Sequence, residues 1–438
     1  MRIGILPCLD RSTGGIYQYS VTMLDALHAW KESGCEHQFV VFASPSLRSS
    51  LPPRNGRDWT VASLNLAAPY STRRFVTDGM RRAVAAAWRR LAGGRPSEAG
   101  GAAAIDVNTV VARPHITQQF RRLQVDLAVY PFAQPMAFQA DIPFILAVHD
   151  LQHRLQPAFP EVSANGEWEW REYLYRNGTR SATLILADSE VGKEDILNCY
   201  GPYGVTPDRV KVLPFLAASY LGSRVSEADM QRVRAAYQLP ERYLFYPAQF
   251  WAHKNHTRIV QALGQLRQEH RLEIPIVFCG SHAGELRERT FQEVMSSAAR
   301  LGVERQIRYT GYVPDEDMAA LYAGAAALVM PTFFGPTNIP VIEAWGHGCP
   351  VLTSDIRGIR EQVGDAGILV DPRSIESIAD GIYKLWNDQS LSQELARRGH
   401  RRLGEYTPDD YRARLAGILE EAGLRARPPQ RIRKRALE

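Results

Sequence analysis

Short apolar runs alternate with amphipathic stretches along most of the 438-residue chain. Residues 2–7 (RIGILP), 38–43 (QFVVFA), 125–131 (VDLAVYP), 143–150 (PFILAVHD) and 183–189 (TLILADS) are continuous apolar runs, as expected of strands buried on both faces. Between the first two, GGIYQYSVTMLDALHAW (14–30) has helical spacing behind a Gly-Gly turn. The same rhythm restarts near residue 240, with strands expected at 243–248, 275–280, 307–312, 327–332, 350–354 and 367–371 and helices at 257–270 and 285–301. Strands alternating with helices predict an α/β fold, here two Rossmann-like doubly wound parallel-sheet domains facing a cleft.

The expected division is an N-terminal domain over 1–220 and a C-terminal domain over 221–405. A helix over 406–424 packs back on the N-terminal domain, and a basic tail runs from 425 to 438. The stretch VLPFLAASYLGSRVSEAD serves as linker. Residues 66–113 interrupt the first domain. Within them, 73–91 (RRFVTDGMRRAVAAAWRRL) place Val76, Met80, Val84, Ala87, Trp88 and Leu91 on one helical stripe and arginines on the other. This pattern suits an anionic membrane surface, with 425–435 adding attraction. It equally suits a helix packed on the body with its arginines in solvent.

Composition narrows the function classes. The hydrophobic share of 45% and charged share of 23% are those of a globular protein. The net charge of +5 resides wholly in the last fourteen residues, which carry six basic side chains and one acid; the body is neutral. That balance argues against nucleic acid as a partner. The five cysteines are dispersed without metal-ligand spacing, which with the absence of a signal-like N-terminus points to the cytoplasm. No apolar run is long enough to span a bilayer.

Three segments at strand ends carry candidate chemistry. Gly14 and Gly15 open a helix after the first strand, where backbone amides attract an anion. Lys254, in YPAQFWAHKNH, stands before a helix that Asn255 or Thr257 would cap; its ammonium suits a phosphate, or only solvent. In PTFFGPTNIPVIEAWGHGCPV (331–351), Pro336 suits a first helical turn. The amides around Asn338 and Ile339 then face a second anion. Glu343, further along that helix, can hold a vicinal diol such as a ribose, or merely favour the helix dipole. The run DED at 315–317 matches a metal-binding Asp-x-Asp only superficially. It reads as a helix cap and first turn, and no metal is expected.

Taken in order and spacing, GGIYQYS (14–20), AVHDLQH (147–153), ADSEVGKEDIL (187–197), KVLPF (211–215), YPAQFWAHKNH (246–256), TGYVPDEDMAALYAGAAALVMPT (310–332), IPVIEAWGHGCPVLTSD (339–355) and EQVGDAGILVDP (361–372) resemble the GT-B glycosyltransferases of the large retaining family 4, those with the "glycosyl transferases group 1" C-terminal domain. The resemblance implies metal-independent sugar transfer from a nucleotide-diphosphate sugar. The first domain would take a glycan or lipid-linked acceptor in surface polysaccharide biosynthesis. GDP-mannose is the first donor to consider. No cofactor is implied, and the enzyme would sit in the cytoplasm or on the inner face of the cell membrane.

By the same resemblance Gly14, Gly15 and Lys254 contact the diphosphate and Glu343 the ribose. His149 and Asp150 line the sugar pocket; on their own residues they equally read as a capped strand end with a core His. Two departures stand out. The family often has a Glu eight positions before the ribose-binding Glu, and here that position is Gly335. It also usually has an Arg shortly before the Lys, where this chain offers Gln249. Thr337 and Asn338 then supply neutral contacts to sugar hydroxyls. The expected site is therefore catalytic His149, Asp150 and Lys254, with Gly14, Gly15, Gln249, Lys254, Asn255, Thr337, Asn338, Ile339 and Glu343 binding the donor. A non-catalytic sugar-nucleotide-binding subunit or a sugar-nucleotide 2-epimerase are the alternatives. A nicotinamide oxidoreductase lacks its fingerprint here.

Overall fold

A computed structural model describes residues 1–51, 58–66, 105–216 and 225–426. The segments proposed to meet a membrane, 73–91 and 425–435, lie outside these residues except for Arg425 and Ala426. So does the expected domain boundary at 220/221.

The apolar runs form two sheets, each with all strands parallel. The first has seven strands: β1 (Arg2–Ile5), β2 (Gln38–Phe42), β3 (Trp59–Ala62), β4 (Leu127–Tyr130), β5 (Phe144–Val148), β6 (Leu184–Ala187) and β7 (Val210–Val212), in spatial order β3-β2-β1-β4-β5-β6-β7. The second has six: β8 (Leu244–Pro247), β9 (Ile276–Cys279), β10 (Ile307–Tyr309), β11 (Ala327–Met330), β12 (Val351–Ser354) and β13 (Ile368–Val370), in order β10-β9-β8-β11-β12-β13. Every residue of β4, β5, β6, β9, β11 and β12 is buried, which is why these runs read as unbroken apolar stretches. Two strands escaped the sequence reading, β3 and β7. Both are sheet edges; β3 is partly exposed and β7 is three residues with a lysine at its centre.

The strand orders locate the site. In each sheet the connections change direction once, between β1 and β4 in the first and between β8 and β11 in the second. Chain leaving such neighbouring strands diverges to opposite faces and opens a crevice at their carboxyl ends. Gly14–Gly15 follow β1, Lys254 follows β8 and residues 331–340 follow β11. The three candidate segments therefore stand at the two switch points.

Helix Pro408–Ala426 packs on helix Gly15–Glu32 of the first lobe, burying Tyr411, Leu415, Leu419 and Ala422 in that lobe's core. The chain thus ends its described part on the lobe where it began. A polar cluster sits under the loop after β5. Glu172, 1% exposed, accepts from Arg154 Nε at 2.8 Å and Tyr200 Oη at 3.2 Å, and pairs with His153. Burial pushes the Glu172 carboxyl up, but His153 and Arg154 outweigh it and hold it at about 2. The cluster fixes residues 152–155 directly behind the cleft wall. Among the described residues no helix is long and apolar enough to cross a membrane.

Candidate active site

A cavity of about 730 Å³ lies between the lobes. Its lining includes Gly14, Gly15, His149, Asp150, Gln249, Lys254, Thr337, Asn338 and Ile339. Of the residues expected from sequence, Asn255 and Glu343 are not part of the lining.

Asp10 shapes the first wall. Its carboxylate accepts from the Ser12 N–H at 2.9 Å and from Ser12 Oγ at 2.7 Å, closing a turn over residues 10–13. Gly14 then adopts φ +60°, ψ −115°, a conformation that L side chains rarely take, and the helix starts at Gly15. Its first amides lack intrahelical partners and face the cleft mouth. Across the gap, Ile339 Cδ1 would stand 3.5 Å from a Cβ on Gly15, so the helix starts of the two lobes nearly touch.

Lys254 closes the short helix Ala252–Lys254 after β8. No hydrogen bond or ion pair to its ammonium is found among the described residues. Burial pushes its pKa down to about 8, against the pull of Asp150 and Glu161. A half-buried ammonium without a partner among the described residues, beside amide-rich helix starts, is poised for an anion. Because its folded pKa lies below the ordinary 10.5, the folded state holds fewer protons between about pH 8 and 10.5. This group alone therefore makes stability rise with pH through that window.

The second wall departs from the sequence reading. The helix begins at Ile339, not at Pro336, and Pro340 rather than Pro336 occupies its first turn. Gly335 has φ +142°, and a Cβ there would lie 2.7 Å from Asn338 Nδ2. Gln362 grips Asn338 on both sides, accepting its N–H at 2.9 Å and donating to its carbonyl at 2.8 Å. Pro336 in turn lies against Gly358, whose Cβ would meet the Pro336 carbonyl at 2.3 Å. The Asn338 amide is therefore spent on Gln362 and proline removes another, which leaves the Ile339 N–H as the first free amide of this mouth. Asn338 Nδ2 and Thr337 Oγ1 are buried without partners and belong to the cleft wall, as polar groups that await a ligand would be.

Asn255, Glu343 and Gln249 have partners that the sequence did not show. Asn255 makes no side-chain cap; at φ +63° its Nδ2 donates to Pro331 O and Pro372 O, both at 2.8 Å, stitching the ends of β11 and β13. Its role is to hold the loops, and its side chain does not reach the cleft. Glu343 sits deeper on its helix, 5% exposed, accepting from Tyr322 Oη at 2.7 Å. Gln249 ties the lobes together: its Nε2 donates to Ser12 O at 3.3 Å while its Oε1 accepts from Arg287 Nη1 at 2.8 Å and Trp251 Nε1 at 3.0 Å. Arg287 stacks 4.7 Å over Trp251 and is not itself part of the cavity lining.

His149 has both ring nitrogens engaged, Nε2 with Pro131 O at 2.7 Å and Nδ1 with the Asp188 carboxylate at 3.2 Å. Burial lowers its pKa, but Asp188 and the Pro131 carbonyl outweigh this and raise it, as fits an imidazolium donating twice. Tyr19 and Phe215 clamp the ring from two sides. His149 therefore offers the cleft no free nitrogen for a sugar hydroxyl. Asp150 accepts from Arg171 Nη1 and the Gln152 N–H, both at 3.0 Å. Burial pushes its carboxyl up, yet Arg171 and that N–H hold it below the usual range.

Sequence reasoning missed Glu161, Arg171, Asp188 and His253, all in the lining. Asp188 could have been found, since it ends β6 inside ADSEVGK as His149 ends β5. Glu161 carried no signal in PAFPEVSANG. The run at 315–317 opens helix Asp315–Gly324, where Asp317 accepts from Tyr237 Oη and pairs with Arg232, both at 2.7 Å, and Asp315 faces Arg11 at 3.9 Å.

Comparison with known proteins places this geometry. Residues 229–402 match the family described as "Glycosyl transferases group 1". The O-antigen chain mannosyltransferase B of Escherichia coli is 30% identical over 261 residues, 57% of this chain and 66% of that protein. The D-inositol 3-phosphate glycosyltransferase of Corynebacterium glutamicum is 24% identical over 253 residues, 56% of this chain and 59% of that protein. The alignments thus span somewhat under two thirds of these relatives. The fold of Anabaena HepE, solved with UDP and glucose, superposes with TM-score 0.67 at 16% identity, covering 96% of this chain and 99% of that one. WaaG, a glycosyltransferase of lipopolysaccharide biosynthesis, does so with TM-score 0.61 at 14% identity over 95% and 98%. Two parallel-sheet lobes around a cleft give this chain the GT-B fold, and residues 229–402 of its C-terminal lobe match the group 1 glycosyltransferase domain.

Proposed function

We propose that the chain is a retaining hexosyltransferase that moves a sugar from a nucleotide-diphosphate donor to a glycan or lipid-linked glycan acceptor in surface polysaccharide biosynthesis. Mannose carried on GDP is the first donor to test, because the relative at 30% identity is an O-antigen mannosyltransferase. The observation that carries the reading is the unpaired Lys254 ammonium lying in one cleft wall with the Gly14–Gly15 helix start.

Sugar transfer requires the diphosphate to leave while positive charge grows at the anomeric carbon. Donors already aimed at the leaving phosphates lower that barrier without reorganising. Lys254, the first amides after Gly14 and the Ile339 N–H supply such donors. The bond from the anomeric carbon to the phosphate oxygen breaks as the bond to the acceptor oxygen forms on the same face. The departing phosphate oxygen takes the acceptor proton, so no protein nucleophile is used. His149, held by Asp188 and the Pro131 carbonyl, keeps the wall in shape, and Thr337 and Asn338 meet sugar hydroxyls with neutral donors. Glu343 acts on the ribose side only if its helix shifts, since in this state it faces Tyr322.

Incubating the purified chain with GDP-mannose, UDP-glucose and dTDP-glucose, with and without oligosaccharide acceptors, tests the reading. NMR of the product should show transfer with the donor's anomeric configuration kept. No transfer from any of them, or an inverted linkage, would refute it.

The Lys254 pKa gives a pH signature. With donor limiting, kcat/KM should decline as pH rises through about 8, because the free enzyme loses its ammonium there. At saturating donor the phosphates hold the proton and the alkaline limb moves up. A kcat/KM profile flat from about pH 7 to 10 contradicts this role.

A further inference from the structure

Glu161 belongs to the short helix Pro160–Ser163 of the N-terminal lobe. Its Oε1 accepts from the backbone N–H of His253 at 3.0 Å and faces His253 Nδ1 at 2.5 Å, across the lobe boundary. Its Oε2 is buried and has no hydrogen-bond partner among the described residues. The side chain is 5% exposed and lines the same cleft as Lys254 and Asp150. Burial pushes its carboxyl up, but the His253 ring and N–H outweigh this and keep it ionised.

A buried carboxylate oxygen left without a donor is costly, of the order of a lost charged hydrogen bond, and persists only where something is gained. An interlobe tie through Oε1 alone would not require it, since an amide could accept the same N–H. The other acids of the lining are engaged, Asp150 and Glu167 by Arg171 and Asp188 by His149, and Gly335 carries no side chain. Hydroxyls are the donors a sugar brings.

We infer that Glu161, anchored to His253 by one oxygen, uses the other to accept a hydrogen bond from a hydroxyl of the transferred sugar, so that the N-terminal lobe supplies the specificity-determining acid of this cleft. This rests on the reading of the cleft as a sugar-nucleotide site. The pairing with His253 also makes sugar recognition depend on lobe closure, because the carboxylate is aimed by a residue of the opposite lobe.

Glu161→Gln preserves volume and an acceptor for the His253 N–H while removing the charge. GDP affinity by calorimetry should stay within about twofold of the parent. The kcat/KM for GDP-mannose should drop roughly ten- to a hundredfold, the range of a charged hydrogen bond. Donors deoxygenated in turn at the mannose ring should reveal one hydroxyl whose loss costs the parent but adds little to the variant. Parallel loss of GDP and GDP-mannose affinity would show a purely architectural role and overturn the assignment, as would losses that add for every hydroxyl. If the parent binds GDP and transfers mannose while E161Q performs equally well, only the role of Glu161 falls. If the parent binds no nucleoside diphosphate, the reading of the cleft falls with it.

Discussion

Replacing Lys254 by alanine should reduce turnover at saturating donor by about 10²–10³-fold, ~2.7–4 kcal/mol of barrier, while leaving the fold intact. The two halves of this expectation come from the same fact. The ammonium is half-buried in the cleft wall, without a hydrogen bond or ion pair among the described residues, and desolvation depresses its pKa to about 8. A charge held in that state contributes nothing to stability, so its removal relieves a desolvation cost. The thermal midpoint of K254A should equal or exceed that of the parent. Its value to the reaction is the reverse, because partial removal from water strengthens its attraction for the leaving phosphates. Steady-state rates at high donor, read beside a melting curve, check both parts. Near-parent turnover, or a marked fall in melting temperature, would show that Lys254 serves structure instead.

Restoring the acid that the resemblance implies at residue 335 should harm the protein. Gly335→Glu forces a side chain onto φ +142° with its Cβ 2.7 Å from Asn338 Nδ2. Such backbone positions cost of order 1–3 kcal/mol for a non-glycine residue. Gln362 holds the Asn338 backbone on both sides and Gly358 pins Pro336, so the Asn338 side chain can yield only by leaving its place in the cleft wall. The strain must therefore displace residues 336–339, which include the cleft-lining Thr337, Asn338 and Ile339. Gly335→Ala should lose activity nearly as much as Gly335→Glu, at least about tenfold, because the obstacle is the Cβ and not the charge. Higher activity in G335E than in G335A would mean that the site lacks a carboxylate it could use. That outcome would contradict the view that this turn is a self-consistent variant.

The strand rhythm made the two-sheet fold legible, and glycine and lysine at strand ends marked the crevice. What the sequence could not show was set by partners far along the chain. Asn255 looks like a helix cap locally, yet its amide bonds carbonyls 76 and 117 residues away. Pro336 satisfies the rule for a helix start, but Gly358 fixes it in the preceding turn and the helix waits for Ile339. His149 follows β5 and lines the cleft. Its Asp188 and Pro131 partners, which decide its charge, come from neighbouring strand ends. Edge strands β3 and β7 were missed because one-sided burial leaves no apolar run to read. Glu161 had no local pattern at all; only the approach of the two lobes brings it against His253.

The central claim is that the diphosphate of an activated sugar is gripped at the facing switch points of the two sheets. Crystals grown with GDP or GDP-mannose measure this directly. The account predicts pyrophosphate oxygens within hydrogen-bond reach of Lys254 Nζ, the Gly15 and Ile16 amides and the Ile339 N–H. A nucleotide bound outside the interlobe cleft, or seated there with its phosphates turned away from Lys254, would contradict it.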